Sequence, residues 1–327
     1  MRCAPIVLIA CCLASGAEAL AKERGLSSDA VNKAEFRGKL GDRNKAVLTR
    51  AEVLLDRAHF SPGVIDGSDG ENVRKAIAAF QKENGLRPSG RLNQETWSKL
   101  KELSPDQAIT DYTLTEEDVK GPFTEKIPPK LEEQAALDRL GYTSPTELLA
   151  EKFHMSESLL KILNKGKKLD VAGVAIAVAN VSTLNDKQKV KASKIEVGKS
   201  SHDVRVLDKE GKLIAFYPAS IGSTEKPAPS GLSKVTKIVT NPNYTYNPDY
   251  KFKGVEAQEK FTIKPGPNNP VGLVWIALTG EGYGIHATPE PDKVGKSASH
   301  GCVRLTNWDA LQLAGMVEKG TPVEFFE

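Results

Sequence analysis

The chain has 327 residues, a length that favours two or three domains. Its formal net charge of +3, with 27% charged residues and no basic block, gives no case for nucleic acid as a partner. Beyond the N-terminus, no apolar stretch approaches the roughly 20 residues that a membrane-spanning helix needs.

The N-terminus has the features of an export signal. Arg2 precedes an apolar run, and Ala17-Glu18-Ala19 has the A-x-A form of a signal cleavage site. We therefore predict a secretory signal peptide over 1–19 and a periplasmic or cell-envelope location. One alternative stays open: Leu8-Ile9-Ala10-Cys11 resembles a lipoprotein cleavage box, and lipidation of Cys11 would attach the protein to a membrane.

Residues 20–43 are charged and contain several glycines, so we predict a poorly ordered lead-in. Residues 44–103 then show apolar residues at helical spacing, which predicts a small helical domain. Its elements Phe80-Gln81, Gly85-Leu86 and Thr96-Trp97 make it similar to the peptidoglycan-binding three-helix domain. That resemblance implies a glycan-binding role, although Phe80 and Trp97 are expected mainly in the core.

Residues 104–134 contain several prolines among many charges, and this composition predicts a semi-rigid linker. In the next segment, 135–182, Ser144-Pro145-Thr146-Glu147 is a capping box with proline at the first helical position. Two short helices and an apolar strand follow. This helix–helix–strand order resembles a LysM-like glycan-binding module, and a connector packed on the next domain is the alternative.

Residues 192–326 contain many short alternating segments and one late helix, a pattern typical of a mixed β-sandwich. The polar, proline-rich stretch 241–260 does not fit a core strand, and we interpret it as a flap or an ordinary long loop. The predicted fold class is therefore α+β multidomain. It comprises a small helical N-terminal domain, a helical or LysM-like middle segment and a C-terminal mixed β-sandwich.

Candidate catalytic residues are concentrated in Gly284–Asp309, which holds His286, His300 and Cys302. The other three cysteines lie in the predicted signal peptide, so its removal would leave Cys302 as the sole thiol. An imidazole within reach can take the thiol proton, and the resulting imidazolium stabilises the thiolate nucleophile.

The neighbours of Cys302 suit acyl transfer. Gly301 allows a tight turn whose backbone N–H groups can face a developing oxyanion. Arg304 supplies a permanent positive charge for a substrate carboxylate. From the residues alone, His300 is as good a base as His286.

The run Ser299-His300-Gly301-Cys302-Val303-Arg304, with Asn307 after it and His286 upstream, resembles the signature of the YkuD-type L,D-transpeptidases. The resemblance implies a YkuD-type catalytic domain over 192–326 and no cofactor or metal. Cys302 would be the nucleophile and His286 the proton donor and acceptor, with its ring oriented by the carbonyl of Ala287. His300 and the amides of Gly301 and Cys302 would line the acyl site, and Ser299, Arg304 and Asn307 would contact substrate or hold the loop.

Two alternative interpretations of these residues compete with this assignment. Cys302 could be a buried structural cysteine beside two core histidines. Alternatively, His286, His300 and Cys302 could be three ligands of a catalytic zinc ion, which a chelator would remove.

The resemblance implies acyl transfer from the tetrapeptide stems of peptidoglycan with release of D-Ala. The acceptor stays open: a diaminopimelate amine would give 3–3 cross-links, an envelope-protein amine would attach that protein to the wall, and water would make the enzyme an L,D-carboxypeptidase. A non-catalytic wall-binding protein is the rival of a different class. The expected partners are thus peptidoglycan stem peptides and glycan, with envelope proteins as alternative acceptors.

Overall fold

The computed structural model describes residues 25–38, 44–181, 190–222, 227–250, 255–297 and 301–327. The predicted signal peptide, with Cys11, lies outside the described residues. None of the helices in these ranges combines the length and apolar composition needed to cross a bilayer.

Residues 44–103, here called the helical unit, form three helices around an apolar core. The three helices are α2 (Lys45–Arg57), α3 (Glu71–Glu83) and α4 (Gln94–Leu103). A short helix, α1 (Ser28–Asn32), precedes them in the chain. The helices form because their apolar residues recur at helical spacing, and Asn93 caps α4 by accepting the backbone N–H of Thr96. Phe80 and Trp97 are fully buried in this core, as predicted.

The lead-in differs from the prediction over residues 25–38. Val31 and Phe36 are buried, and the side chain of Asn32 both donates to and accepts from the backbone of Ile109. Glu35 accepts a hydrogen bond of 2.8 Å from the indole N–H of Trp97. The prediction was wrong here because two apolar side chains among many charges are enough to attach the segment to cores formed by distant residues.

Residues 108–181, here called the middle unit, contain two paired strands and four short helices. These are β1 (Ile109–Thr113), α5 (Glu116–Lys120), α6 (Leu131–Gln134), α7 (Pro145–Lys152), α8 (Glu157–Leu163) and β2 (Ala175–Ala179). Strand β1 pairs antiparallel with β2, so the segment predicted as a linker, 104–134, supplies half of this small sheet. The strand is short and polar, with Asp111 at its centre, so the prolines and charges of the surrounding segment hid it.

The remaining residues, 190–327, form the sheet unit. Its strands are β3 (Lys194–Gly198), β4 (Asp203–Leu207), β5 (Leu213–Pro218), β6 (Ser220–Ile221), β7 (Gly231–Thr240), β8 (Tyr244–Tyr246), β9 (Phe261–Ile263), β10 (Val274–Leu278), β11 (Gly284–His286), β12 (Val303–Arg304) and β13 (Pro322–Phe326). Helix α9 (Asn307–Met316) packs beside β10. Thr306 caps α9 by accepting the N–H of Asp309.

Nine strands hydrogen-bond in the order β5-β4-β3-β13-β7-β10-β11-β12-β6. The ten-residue strand β7 pairs with β13 through residues 231–234 and with β10 through residues 235–240, so it belongs to both halves of the sheet. Alternating side chains of both halves enclose one apolar core. The predicted mixed β-sandwich and the α+β class are confirmed, and 241–263 contributes a separate hairpin of β8 and β9.

The three units meet at a buried polar junction. Asp56 of the helical unit lies 2.9 Å from Nδ1 of His154 of the middle unit, whose ring stacks on Trp308 of the sheet unit. Ser61 donates a hydrogen bond of 3.0 Å to Asp309. Burial, with the charge of Asp56 next, raises the pKa of Asp309 to about 7, against the lesser opposing effects of Thr306, His154 and Ser61.

The junction predicts a pH dependence of stability. Between about pH 4 and pH 7 folded Asp309 keeps a proton that the unfolded chain loses, so this group makes stability fall as pH rises through that window. We expect Asp309→Asn to remove roughly 1–4 kcal/mol of this decrease. Urea unfolding at several pH values from 4 to 8 measures it, with the exposed Asp170→Asn as control. Equal pH slopes for wild type and Asp309→Asn would contradict the assignment.

Candidate active site

The site is built on the parallel pair of strands β11 and β12. Ile285 lies opposite Val303, and His286 lies opposite Arg304. Ile285 and Val303 point into the core, so alternation directs Gly284, His286 and Arg304 to the other face. Cys302 directly precedes β12 and, by the same register, is level with Gly284 and shares that face.

His286 has a single tautomer in this geometry. Its Nδ1 lies 2.6 Å from the carbonyl oxygen of Ala287, and a carbonyl can only accept, so Nδ1 carries the proton and Nε2 is the basic nitrogen. The ring is buried and stacks on Trp275 at 5.4 Å between centroids. Burial and the nearby charge of Arg304 lower the pKa of His286 to about 3, against the opposing bond to Ala287. The imidazole is therefore neutral at physiological pH.

Trp275 reaches His286 because Gly284 has no side chain. A Cβ at Gly284 would lie 2.7 Å from the indole ring of Trp275. Trp275 is also the cross-strand partner of His286 on β10. The indole therefore limits the ring of His286 on one side, while the Ala287 carbonyl sets its rotation.

Cys302 is half-buried, and its thiol donates to the carbonyl of Gly282 at 3.5 Å. Burial raises the pKa of Cys302, and the Gly284 N–H and the charge of Arg304 only partly oppose this. The sequence interpretation expected an imidazolium-stabilised thiolate. The structure instead favours a neutral thiol and a neutral imidazole, because burial disfavours both charged forms.

The turn before the thiol has the predicted glycine geometry. Gly301 has φ +97°, a conformation that side chains with a Cβ rarely adopt. Ser299 and His300 lie outside the described residues, so their proposed roles stay predictions, as does the choice of His286 over His300 as base. Among the described residues no cluster of three His, Cys, Asp or Glu side chains could hold a metal.

Arg304 extends the site toward the segment predicted as a flap. Its pKa is lowered by burial, and the acidic groups of Cys302, Glu290 and Tyr244, in that order, partly oppose this shift. Tyr244 begins β8, so the 241–260 segment brings an aromatic hydroxyl near the guanidinium. Apart from the presence of tyrosines, nothing in the local sequence pattern indicated this contact.

Asn307 is a correction to the predicted substrate contacts. Its side chain is 1% exposed. Its Oδ1 accepts the N–H of Leu273 at 2.9 Å, and its Nδ2 donates to the carbonyl of Pro267 at 3.2 Å and to both carboxyl oxygens of Glu151 at 3.1 and 2.8 Å. Every polar atom of the amide is thus occupied by protein, which leaves none for substrate. Asn307 holds the loop before β10, the other role that the resemblance implied.

Comparison with known proteins agrees with this fold and motif. The family model described as "L,D-transpeptidase catalytic domain" (YkuD) matches residues 192–325, and the model "Putative peptidoglycan binding domain" matches residues 48–100. "Putative L,D-transpeptidase YqjB" of Bacillus subtilis is 30% identical over 132 residues, covering 39% of this chain and 67% of that protein. The chain belongs to the YkuD family of L,D-transpeptidases.

Other relatives match over shorter shares. "Putative L,D-transpeptidase YkuD" of Bacillus licheniformis is 32% identical over 130 residues, covering 40% of this chain and 63% of that protein. The solved L,D-transpeptidase from Mycobacterium smegmatis superposes with a TM-score of 0.35 at 20% identity, over 48% of this chain and 64% of that chain. The chain spans less than two thirds of the first curated relatives it matches. The resemblance of the middle unit to a LysM-like module stays a prediction.

The neutral state of the pair has a measurable consequence for thiol reactivity. With the thiol pKa raised, we expect the rate of Cys302 alkylation to keep rising from pH 6 to pH 9, because only the thiolate reacts. The chain from Leu20 onward has no other cysteine, so mass spectrometry with iodoacetamide reads this site alone. Cys302→Ser supplies the background. A rate that is already maximal below pH 7 would show a preformed thiolate and contradict the assignment.

Proposed function

We propose that the protein is a peptidoglycan L,D-transpeptidase in which Cys302 is the nucleophile and His286 the general base and acid. The observation that carries the proposal is the orientation of His286, whose Nδ1–H is bonded to Ala287. Its basic Nε2 is thus available on the face that the strand register gives to Cys302. Family membership supports acyl transfer as the reaction class.

In the first half-reaction, the sulfur of Cys302 attacks the carbonyl carbon of the diaminopimelate L-centre, and Nε2 of His286 takes the thiol proton. A neutral pair suits this step, because the proton moves as the sulfur–carbon bond forms and no isolated buried charge persists. The N–H groups of Gly301 and Cys302 would receive the oxyanion. Collapse breaks the amide bond, and the D-Ala amine leaves with the proton from His286, which produces a thioester.

In the second half-reaction, an amine attacks the thioester carbonyl and passes a proton to His286. The carbon–sulfur bond breaks, the new amide forms, and the thiolate of Cys302 regains its proton from His286. A diaminopimelate amine gives a 3–3 cross-link, which we propose as the main product. Arg304, half-buried on the same face, is placed to attract a stem carboxylate.

The helical unit supports peptidoglycan as the partner, since it matches a peptidoglycan-binding model. A second binding module on the same chain would raise the effective concentration of the site on an insoluble polymer. Export to the periplasm or cell envelope follows from the same proposal, because the polymer lies outside the cytoplasm.

Incubation with a purified disaccharide-tetrapeptide tests the reaction. We expect mass spectrometry to detect a dimer whose mass equals that of two substrate molecules less one D-Ala. The dimer forms because the thioester conserves the acyl group until an amine arrives. Cys302→Ala should give no dimer, and a chelator should leave the wild-type rate unchanged.

The other outcomes separate the alternatives. Full activity in Cys302→Ala would refute the mechanism, and loss of activity with a chelator would favour a metal enzyme. A tripeptide without dimer would contradict stem cross-linking, and repeating the incubation with envelope-protein amines would then distinguish protein attachment from a carboxypeptidase. No reaction with either acceptor would favour a wall-binding protein.

A further inference from the structure

Glu151 is a buried carboxyl that the proposed mechanism does not use. It lies near the end of α7 in the middle unit and is 8% exposed. Its two oxygens accept the hydrogen bonds from Asn307 at 3.1 and 2.8 Å, across 156 residues of sequence, and the hydroxyl of Tyr142 lies 3.4 Å away. A buried carboxyl directed at one amide of another unit specifies the position of that amide.

Asn307 transmits this contact to the loop that precedes β10. Its Oδ1 accepts the N–H of Leu273, and a Cβ at Gly272 would lie 2.4 Å from that same oxygen. The same Cβ would lie 2.5 Å from Cβ of Ala287 and 2.9 Å from the backbone nitrogen of Thr288. Gly272, with φ +57°, is therefore enclosed between Asn307 and the residues that follow His286.

The loop leads directly into Val274, the first residue of β10, which is hydrogen-bonded to Ala287. Val274 accepts the N–H of Ala287 at 3.1 Å, and the carbonyl of Ala287 accepts Nδ1–H of His286. A continuous series of contacts thus runs from Glu151 through Asn307, Leu273 and Val274 to the imidazole.

The middle unit holds the same loop at further points. Glu147, one turn before Glu151 on α7, accepts from the amide of Asn268 at 2.7 Å. The backbone N–H of Asn268 donates to Leu140, and Leu140 donates to the carbonyl of Pro265. The middle unit therefore contacts the loop directly through Glu147 and Leu140, and indirectly through Glu151 and its partner Asn307.

We propose that Glu151 is a positioning residue of the acyl-transfer site, which acts through Asn307 and the 266–273 loop to set the tautomer and orientation of His286. This positioning role depends on the proposed function only for its expected effect on kcat. It makes the middle unit part of the catalytic apparatus, in addition to any binding role.

Kinetics in the whole protein test the proposal. We expect Glu151→Ala to lower kcat about 10- to 100-fold with little change in KM, because small displacements of a catalytic group reduce rate more than binding. Glu151→Gln should restore most of kcat, since burial raises the pKa of Glu151 to about 8 and glutamine resembles the neutral acid. The matched control is Glu157→Ala, an exposed glutamate of the same unit that should leave kcat unchanged.

A double-mutant cycle distinguishes positioning from general destabilisation. If Glu151 acts through Asn307, Glu151→Ala added to Asn307→Ala should lower kcat no further. Additive losses would overturn the proposal. A lower Tm for Glu151→Ala with an unchanged kcat per folded molecule would reduce Glu151 to a structural residue and equally overturn it.

The tautomer of His286 gives a readout that needs no turnover. Nitrogen-15 NMR of histidine-labelled protein should show His286 protonated at Nδ1 in the wild type and in Glu151→Gln, and a mixture of tautomers in Glu151→Ala. An unaltered His286 signal in Glu151→Ala would refute positioning even if the enzyme were active. An inactive wild type with the expected tautomer change would refute the proposed function and leave the positioning role intact.

Discussion

The parallel pairing of β11 with β12 is the constraint on which the site depends. It sets His286 opposite Arg304 and Cys302 level with Gly284, so side chains that are distant in sequence share one face. Their neighbours Ile285 and Val303 are fully buried in the core of the sheet unit. A one-residue slip of this pairing would send the side chains of the candidate site into the core, so the apolar packing also enforces the geometry of that site.

The environment of the site opposes charge. Burial lowers the pKa of His286 and raises that of Cys302, and the charge of Arg304 adds to the first shift and only partly opposes the second. A thiol kept neutral at rest is less exposed to oxidation than a preformed thiolate. In the proposed mechanism, the thiol must then be activated as the substrate is attacked, which makes the rate depend on the orientation of His286.

Local patterns predicted much of this molecule. Alternation within 192–326 and helical spacing within 44–103 predicted strands and helices there, and a dense motif marked Cys302 and its neighbours as candidate site residues. Strand β1 was missed because its partner β2 lies more than 60 residues away. Asn307 was assigned to substrate because a polar residue beside a motif has no sequence mark of burial, and its partner Glu151 has no local signal at all. The protonation state of the Cys302 thiol depends on its burial in the folded sheet unit, which no single stretch of sequence encodes.

The contact of the helical unit with β5 has a consequence for association. Strand β5 ends the nine-stranded order, and the chain at 59–61 pairs with it: Phe216 donates to His59, and Ser61 donates to Phe216. This short bridge uses backbone N–H and C=O groups of β5 that could otherwise pair with a strand from another molecule. The helical unit thereby protects this edge of the sheet against edge-to-edge polymerisation, and a fragment limited to the sheet unit would lose that protection.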